Sequence, residues 1–324
     1  MTRILTNKII IENANIMKMI ESVEDSYRNI DKYGIPPRFF ANTKNGGDYL
    51  VAACTNLTND TFIIRGSDFT PGRTPTVMGH FMYKSYATGE LLAIADGAEL
   101  INYRTGAKAA VAAKYLARKN SETLGLIGLG ESVKVHAECM KALFPLKRIL
   151  GFSRNPEQWS TQLNYIKEKT GIEVEIVSRE ELINESDIIV LSTRSKEPLV
   201  KLEEAKRAGQ LIISTAHTEE VDKEIAKSKD IKTFVGRYEV AKTEFGPVKV
   251  ALDEGFDESI MNGELREVIN AALTVGANDN SPLLGRENEE EIIFFQSLGS
   301  THEDMAVLEA AYETVGDKAE SVEV

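Results

Sequence analysis

The chain is short of cysteine: Cys54 and Cys139 are the two that its 324 residues contain. They have neither the spacing of a metal-ligand pair nor the density of a disulfide scaffold, and the four histidines form no recognisable metal array. Positive charge is short as well. Acidic residues outnumber basic ones 50 to 38, a formal net charge of −12. That balance argues against the broad basic footprint of a general nucleic-acid binder, while leaving room for a local basic pocket around a small anion. Long apolar runs are missing too. No stretch reaches the ~18 residues that a bilayer crossing needs, and the opening Met-Thr-Arg-Ile-Leu-Thr carries no long apolar signal segment. The expectation is a reducing, cytoplasmic location with no membrane, nucleic-acid or metal partner. What is present is 42% hydrophobic residues in a chain long enough for a large core and two domains, without repeats or a low-complexity linker.

Residues 11–34 carry Ile16, Met19, Ile20, Val23, Tyr27 and Ile30 at helical spacing, which predicts an amphipathic helix ended by Pro36-Pro37. Short strand-like runs follow at Asp48 to Thr55, Thr61 to Gly66 and Thr76 to Tyr83, with turns suggested at Gly89 and Gly97. Alanine-rich Ala107 to Leu116 predicts a helix. From Thr123 the rhythm changes. Leu124–Ile127, Arg148–Phe152, Val174–Val177, Ile188–Leu191, Leu211–Ser214 and Ile231–Val235 read as short apolar strands with intervals that can hold helices. This order predicts an α/β, Rossmann-type domain built on a mostly parallel sheet. Glu303 to Val315 is again helical in character.

The run Thr123-Leu-Gly-Leu-Ile-Gly-Leu-Gly-Glu-Ser-Val133 reads as a buried strand, a glycine turn and a helix start. Gly128 permits the tight turn, and Gly130 lets a phosphate approach the amides at the helix start, with Glu131 and Ser132 beside it. Val133 stands where a third glycine or alanine is usual, so the motif depends on its strand–helix setting. About twenty residues on, Ile149-Leu-Gly-Phe-Ser-Arg154 ends a second strand without a carboxylate for the adenine ribose. Arg154, helped by Ser153 and Asn155, suits a ribose 2′-phosphate. The expected cofactor is therefore NADP, with NAD as the alternative. Ser192 and Thr193, ending a later strand, are expected along the cofactor path, and Asp187 to cap or orient that segment.

Three arginines are candidates for an anionic substrate: Arg38 after two prolines, Arg65 in a strand-like run, and Arg104 with Thr105 in Asn102-Tyr-Arg-Thr-Gly-Ala107. Arg104 reads as lying just before a helix, a place that favours a carboxylate. Lys84 and Lys108 are alternative acid–base groups, Lys108 reading rather as a solvated helix residue. Asp96 is expected to orient an arginine or to sit in a surface turn. Among the histidines, His80 is placed near a substrate cleft and His136 near cofactor phosphates. His217, following a strand, is a candidate proton donor, set against a packing or capping role.

These residues give the sequence a resemblance to the ornithine cyclodeaminase and mu-crystallin family. It is carried by Arg73-Thr-Pro-Thr-Val-Met-Gly79, Thr88-Gly-Glu-Leu-Leu-Ala-Ile-Ala-Asp-Gly97, Arg104-Thr-Gly-Ala107, Thr123–Gly130, and Phe295-Gln-Ser-Leu-Gly299 with Asp304. The resemblance implies a substrate and dimerisation domain of α+β type over residues 1–117. It further implies an NAD(P)-binding domain over 118–300, a segment 301–324 returning to the first domain, and a homodimer. In the cyclodeaminases, arginines hold the substrate carboxylate, and Arg38 and Arg104 match them. Arg65 stands where the family often has a catalytic lysine, and His217 where cyclodeaminases have a catalytic aspartate.

Those two departures count against ordinary cyclodeamination, since a guanidinium is a poor general base. The leading expectation is an NADP-dependent oxidoreductase that reduces an imino acid, or oxidises an amino acid, carrying an acidic side group. Arg38, Arg104 and Thr105 would hold its carboxylate, Arg65 a second acid or oxyanion, and His217 would supply the proton. An NAD-dependent cyclodeaminase and a non-catalytic dinucleotide or metabolite binder are the competing readings.

Overall fold

The computed structural model describes residues 1–44, 46–70, 72–73, 75–275 and 284–323. Thr74, within the first family-like stretch, lies outside them. The contacts divide the chain into one unit made of Met1–Arg104 with Ser300–Val324, and a second made of Thr105–Gly299.

The first unit is built on a sheet ordered Glu320–Val322, Thr2–Leu5, Leu91–Asp96, Val77–Ser85, Thr61–Phe69, Asp48–Asn56 and Tyr33–Gly34, with Phe39–Asn42 also paired to Asp48–Asn56. Its long central strands are antiparallel, and Arg65 stands level with Ala52 on one side and Phe81 on the other. Alternation separates two faces. Ala52, Cys54, Ile63, Arg65, Phe81, Ala93 and Ala95 point to the buried one. Against it packs Thr301–Val315, buried along most of its length, and on that helix in turn packs Ile16–Arg28, whose Met19, Ile20, Val23 and Tyr27 are buried. The single helix expected over residues 11–34 is two, Asn7–Asn13 and Ile16–Arg28. The break comes from local capping: the Thr6 hydroxyl accepts the Ile9 amide, and the Asn15 side chain accepts the Lys18 amide and starts a new helix.

The second unit has a parallel sheet ordered Val174–Ile176, Arg148–Phe152, Thr123–Ile127, Ile188–Leu191, Leu211–Ser214, Ile292–Gln296, Ile231–Val235 and Gly263–Glu264. The chain winds outward in both directions from Thr123–Ile127, so the strand order reverses beside that strand. Ligands of such sheets sit at the carboxyl ends of the strands at this reversal. The α/β reading of the sequence therefore holds, with two strands added, the short edge strand Gly263–Glu264 and Ile292–Gln296. Ile292–Gln296, which no sequence pattern separated from its surroundings, lies inside the sheet between two of the expected strands.

The helix expected from Ala107 begins at Gly97 and runs to Leu116. Arg104 is thus inside a helix rather than at its start, which removes the helix-terminus argument for its affinity. Among the described residues no helix is long and apolar enough to cross a membrane, and no cluster of three metal-ligating side chains occurs.

Candidate functional site

The glycine turn lies at the sheet reversal. Gly128 has φ +89°, and a β-carbon there would stand 2.6 Å from the Ser192 carbonyl oxygen and 2.7 Å from the Thr193 methyl. Only glycine allows both the left-handed backbone and this close approach. Gly130 is the opposite case: a β-carbon would meet nothing nearer than the Trp159 ring at 4.0 Å. Space is open over the turn, where a phosphate can approach the backbone and the start of the helix Val133–Leu143. The Ser132 and Ser192 hydroxyls are 2.7 Å apart and tie the turn to the end of the next strand. Glu131 is turned aside, accepting from Gln162 at 2.7 Å and lying near Lys134, so its backbone rather than its carboxylate faces the phosphate role. Ser153 is half-buried, while Arg154 and Asn155 are exposed at the end of Arg148–Phe152. These residues fit a dinucleotide.

A small residue does face the helix Val133–Leu143 closely, but from the helix Gly97–Leu116 rather than from the motif's own third position. A β-carbon on Gly106 would lie 2.9 Å from the Val135 side chain and 3.1 Å from its backbone.

One carboxylate missed by the sequence reading organises the strand ends. Glu220 is fully buried. It accepts the Thr193 amide at 2.7 Å, the Thr193 hydroxyl at 2.8 Å and the Ser214 hydroxyl at 2.8 Å. Burial pushes its carboxyl above the usual value, against the opposing pull of those donors. The Thr193 hydroxyl expected along the cofactor path is thus held by Glu220. Asp187 does orient its segment: it accepts the Glu122 and Thr123 amides and pairs with Arg118 and Arg207.

The three arginines come together in the first unit around the helix Thr301–Val315. Arg65, 4% exposed, donates to Asp304 at 2.7 Å and to the Ser67 hydroxyl at 3.2 Å. Arg104 Nε is 3.2 Å from Asp304, and its Nη1 is 3.6 Å from Glu303. Arg38 feels the same charges: burial and then Arg104 push its guanidinium down to about 10, with Asp304 and Glu303 opposing. It remains charged at neutral pH. Burial likewise lowers the Arg65 value, opposed by Asp304. Thr105 follows Arg104 in the helix and is buried.

The structure corrects several expectations here. Arg65 is not a loose clamp for a second substrate acid, because Asp304 already engages it. A buried, paired guanidinium is no acid or base either, so the catalytic role given to it falls. His80 does not join the arginines: it stands level with Gly66 and Asp96 on the open face of the sheet, whereas Arg65 and Phe81 point to the buried face. Lys84 is on that open face too, over the Phe62 ring. Lys108, read as solvated, is fully buried, and its ammonium donates to the Leu298 carbonyl. Asp96 accepts the Asn7 amide rather than orienting an arginine. His136 is buried with Nδ1 2.8 Å from the Ser132 carbonyl, and His302 is buried against Ser26 and Tyr27. His217 is the accessible histidine of the second unit's strand ends. Its Nδ1 lies 3.4 Å from a Glu244 carboxylate oxygen.

A cavity of about 210 Å³ in the first unit, lined by Asp25, Lys32, Tyr33, Asn56 and Glu309 among others, shares no residue with either the glycine turn or the arginine cluster.

Known proteins share this fold. A model of the ornithine cyclodeaminase/mu-crystallin family matches residues 1–319. A Δ1-pyrroline-2-carboxylate reductase of Bacillus thuringiensis subsp. konkukian is 32% identical over 254 residues, covering 76% of this chain and 75% of the relative. An alanine dehydrogenase of Archaeoglobus fulgidus is 29% identical over 98% of this chain and 96% of its own. The solved structure of a Thermococcus litoralis Δ1-pyrroline-2-carboxylate reductase, in complex with NADH and L-proline, superposes with a TM-score of 0.89 at 27% identity, covering 99% of this chain and 100% of that one. With its glycine turn at the sheet reversal and its match over nearly the full length, the chain belongs to the ornithine cyclodeaminase/mu-crystallin family.

Proposed function

We propose that the chain is an NAD(P)-dependent oxidoreductase that interconverts an imino acid and the corresponding amino acid, with NADP(H) as the preferred cofactor. The observation that carries this reading is the gathering of Arg38, Arg65 and Arg104 around Glu303 and Asp304. A guanidinium cluster, buried at Arg65 and half-buried at Arg38 and Arg104, suits a carboxylate-bearing small molecule. Relatives named as imine reductases and an alanine dehydrogenase support the reaction class. When bound, the dinucleotide supplies or accepts the hydride.

The chain's own residues do the rest. Gly128, Gly130 and Ser132 hold the pyrophosphate turn, and Glu220 fixes Thr193 beside it. Arg154 has no ion-pair partner among the described residues, in contrast to Arg148, which Glu175 and Glu185 engage. An exposed, uncommitted guanidinium at this strand end suits a ribose 2′-phosphate. Arg38 and Arg104, with Thr105, hold the substrate carboxylate. His217, oriented by Glu244, donates the proton to the nitrogen side of the reaction or takes it back. Cys54 and Cys139 are buried and not joined in a disulfide, which accords with a reducing, cytoplasmic setting. The working form is a homodimer.

The test is direct. The purified protein is mixed with Δ1-pyrroline-2-carboxylate, or with pyruvate and ammonium, and either NADPH or NADH, and the loss of reduced-nicotinamide absorbance is followed. Turnover that is faster at low NADPH than at equal NADH supports the proposal. No oxidation with any imine sinks the reaction class, and an NADH preference sinks the cofactor assignment alone. Arg154→Ala should erase the preference for NADPH, and an unchanged affinity ratio would remove Arg154 from that role.

A further inference from the structure

The buried carboxylate of Glu220 joins two loops of the second unit. Its Oε2 accepts the Thr193 amide and hydroxyl at 2.7 and 2.8 Å. Its Oε1 accepts the Ser214 hydroxyl at 2.8 Å and, more weakly, the Ala216 amide at 3.4 Å. The four donors lie where the chain leaves two neighbouring parallel strands, Ile188–Leu191 and Leu211–Ser214, at their carboxyl ends. Each oxygen serves one loop.

The loops have different tasks. The first lies against the glycine turn. The Ser192 carbonyl and the Thr193 methyl are what a β-carbon on Gly128 would strike, and the Ser192 hydroxyl is 2.7 Å from that of Ser132. The second carries His217, exposed one residue after Ala216. Thr215 is anchored separately, its amide and hydroxyl both donating to the Leu191 carbonyl. Glu220 then holds Ala216, and Glu244 lies beside the His217 ring.

We propose that Glu220 is a positioning residue that keeps His217 in register with the dinucleotide turn. In the proposed reduction the imine carbon takes a hydride and its nitrogen takes a proton from His217, so both must arrive from fixed places. This rests on that reading and adds to it. Being fully buried, Glu220 acts through the two loops and not on the reacting atoms.

Glu220→Gln separates the loops, because an amide has a single acceptor oxygen. That oxygen should stay with the Thr193 pair, whose bonds are the shorter, and turn the NH2 group toward Ser214 and Ala216. The Ser214 hydroxyl can rotate to accept from it, but the Ala216 amide loses its partner. The seat of the dinucleotide is kept and the His217 loop is released.

Fluorescence titration without substrate should therefore give dissociation constants for NADPH and NADH near the wild-type values. With Δ1-pyrroline-2-carboxylate, kcat should fall ~10-fold or more, as expected when a catalytic group is displaced by a fraction of an ångström or more. His217→Ala alone should lower kcat about 100-fold. In that background Glu220→Gln should change kcat little, since no proton donor is left to misplace. A merely structural Glu220 would lower kcat by the same factor in both backgrounds. Ser214→Ala removes the closer donor of Oε1. It should show the same pattern with a smaller loss, and serves where Glu220→Gln fails to fold.

Full kcat in folded Glu220→Gln overturns the proposal. So does an equal loss in the His217→Ala background, or a cofactor affinity that falls as far as kcat. Wild-type kcat in His217→Ala removes His217 as the proton donor, and no reduction by the wild-type protein removes the reaction class. Either result takes the proposal with it, but neither is read from a Glu220 variant, so the failures are distinct.

Discussion

Asp304 gives up nearly all its solvation to stand between Arg65 and Arg104. Buried pairs of this kind add little net stability compared with apolar residues of the same shape, yet removing one partner strands the other. Asp304→Ala should therefore destabilise the fold by about 3–5 kcal/mol, read as a shift in the urea midpoint. Arg65→Met/Asp304→Leu should cost clearly less than that single change. A double variant as damaged as Asp304→Ala would show that the pair itself, not the stranded charge, holds the fold. Glu220 gives a pH-dependent counterpart. Its carboxyl is raised in the folded chain by burial. The stability it contributes is then complete below the unfolded value, about 4.3, and is lost as pH rises through the folded one. Wild-type stability relative to Glu220→Gln should fall with rising pH above about 4.3, measured by urea unfolding at a series of pH values. A gap that widens with pH would contradict the direction of the shift. None of this was legible locally. Arg65 and Asp304 are 239 positions apart, and Glu220 is the last of an ordinary polar run, Thr218-Glu219-Glu220.

Elements were easier to read than partners. The strands of the parallel sheet announce themselves as short apolar runs because they are buried on both faces. Ile292–Gln296 is such a run too, but five apolar or amide residues between an acidic stretch and Ser297-Leu298-Gly299 do not reveal whether they are strand or helix. Its identity comes from the neighbours Leu211–Ser214 and Ile231–Val235, which only the folded sheet supplies. The helix Gly97–Leu116 was read ten residues too short at its start because Gly97 looks like a turn residue. The glycine does sit at a boundary, where a β-carbon would lie 2.7 Å from the Gly79 backbone, but the helix begins there rather than ending. The nucleotide turn itself was legible, since Gly128 and Gly130 have distinct physical tasks. Gly128→Ala forces a β-carbon into the Ser192 carbonyl at a left-handed φ, a strain of about 1–2 kcal/mol before any contact is counted. It should weaken dinucleotide binding by roughly tenfold or more while leaving the helical content of the circular dichroism spectrum near wild type. Equal affinity in titrations of wild type and variant would remove the turn from the cofactor site.

For the whole molecule, the open face of the first unit's sheet decides the argument. Antiparallel sheets with one face toward water normally present polar residues there. Here Ala53, Ile64, Met82 and Ile94 stand level with one another across four strands, and Ile64, Met82 and Ile94 are 40%, 42% and 37% exposed. Met78, also on this face, adds to the patch, and His80, Lys84 and Asp96 give it a polar margin, the usual composition of a protein interface. The homodimer proposed above would cover it, because a two-fold axis lets one patch meet itself without leaving an open end for further assembly. His80, unconnected with the arginines, would then lie at the rim of that contact. Met82→Asp places a charge in the middle of the apolar row, and in a two-fold contact it places two. Sedimentation should find the wild-type chain as a dimer and Met82→Asp shifted to monomer, with the monomer keeping its folded circular dichroism because the change is on the face remote from the core. A wild-type monomer, or a variant that stays fully dimeric at micromolar concentration, would mean that the apolar row is covered by something other than a second copy. His80→Asp at the rim should weaken association far less than Met82→Asp, since rim charges are solvated and central ones are not. An equal loss from both would place the centre of the contact elsewhere on the sheet.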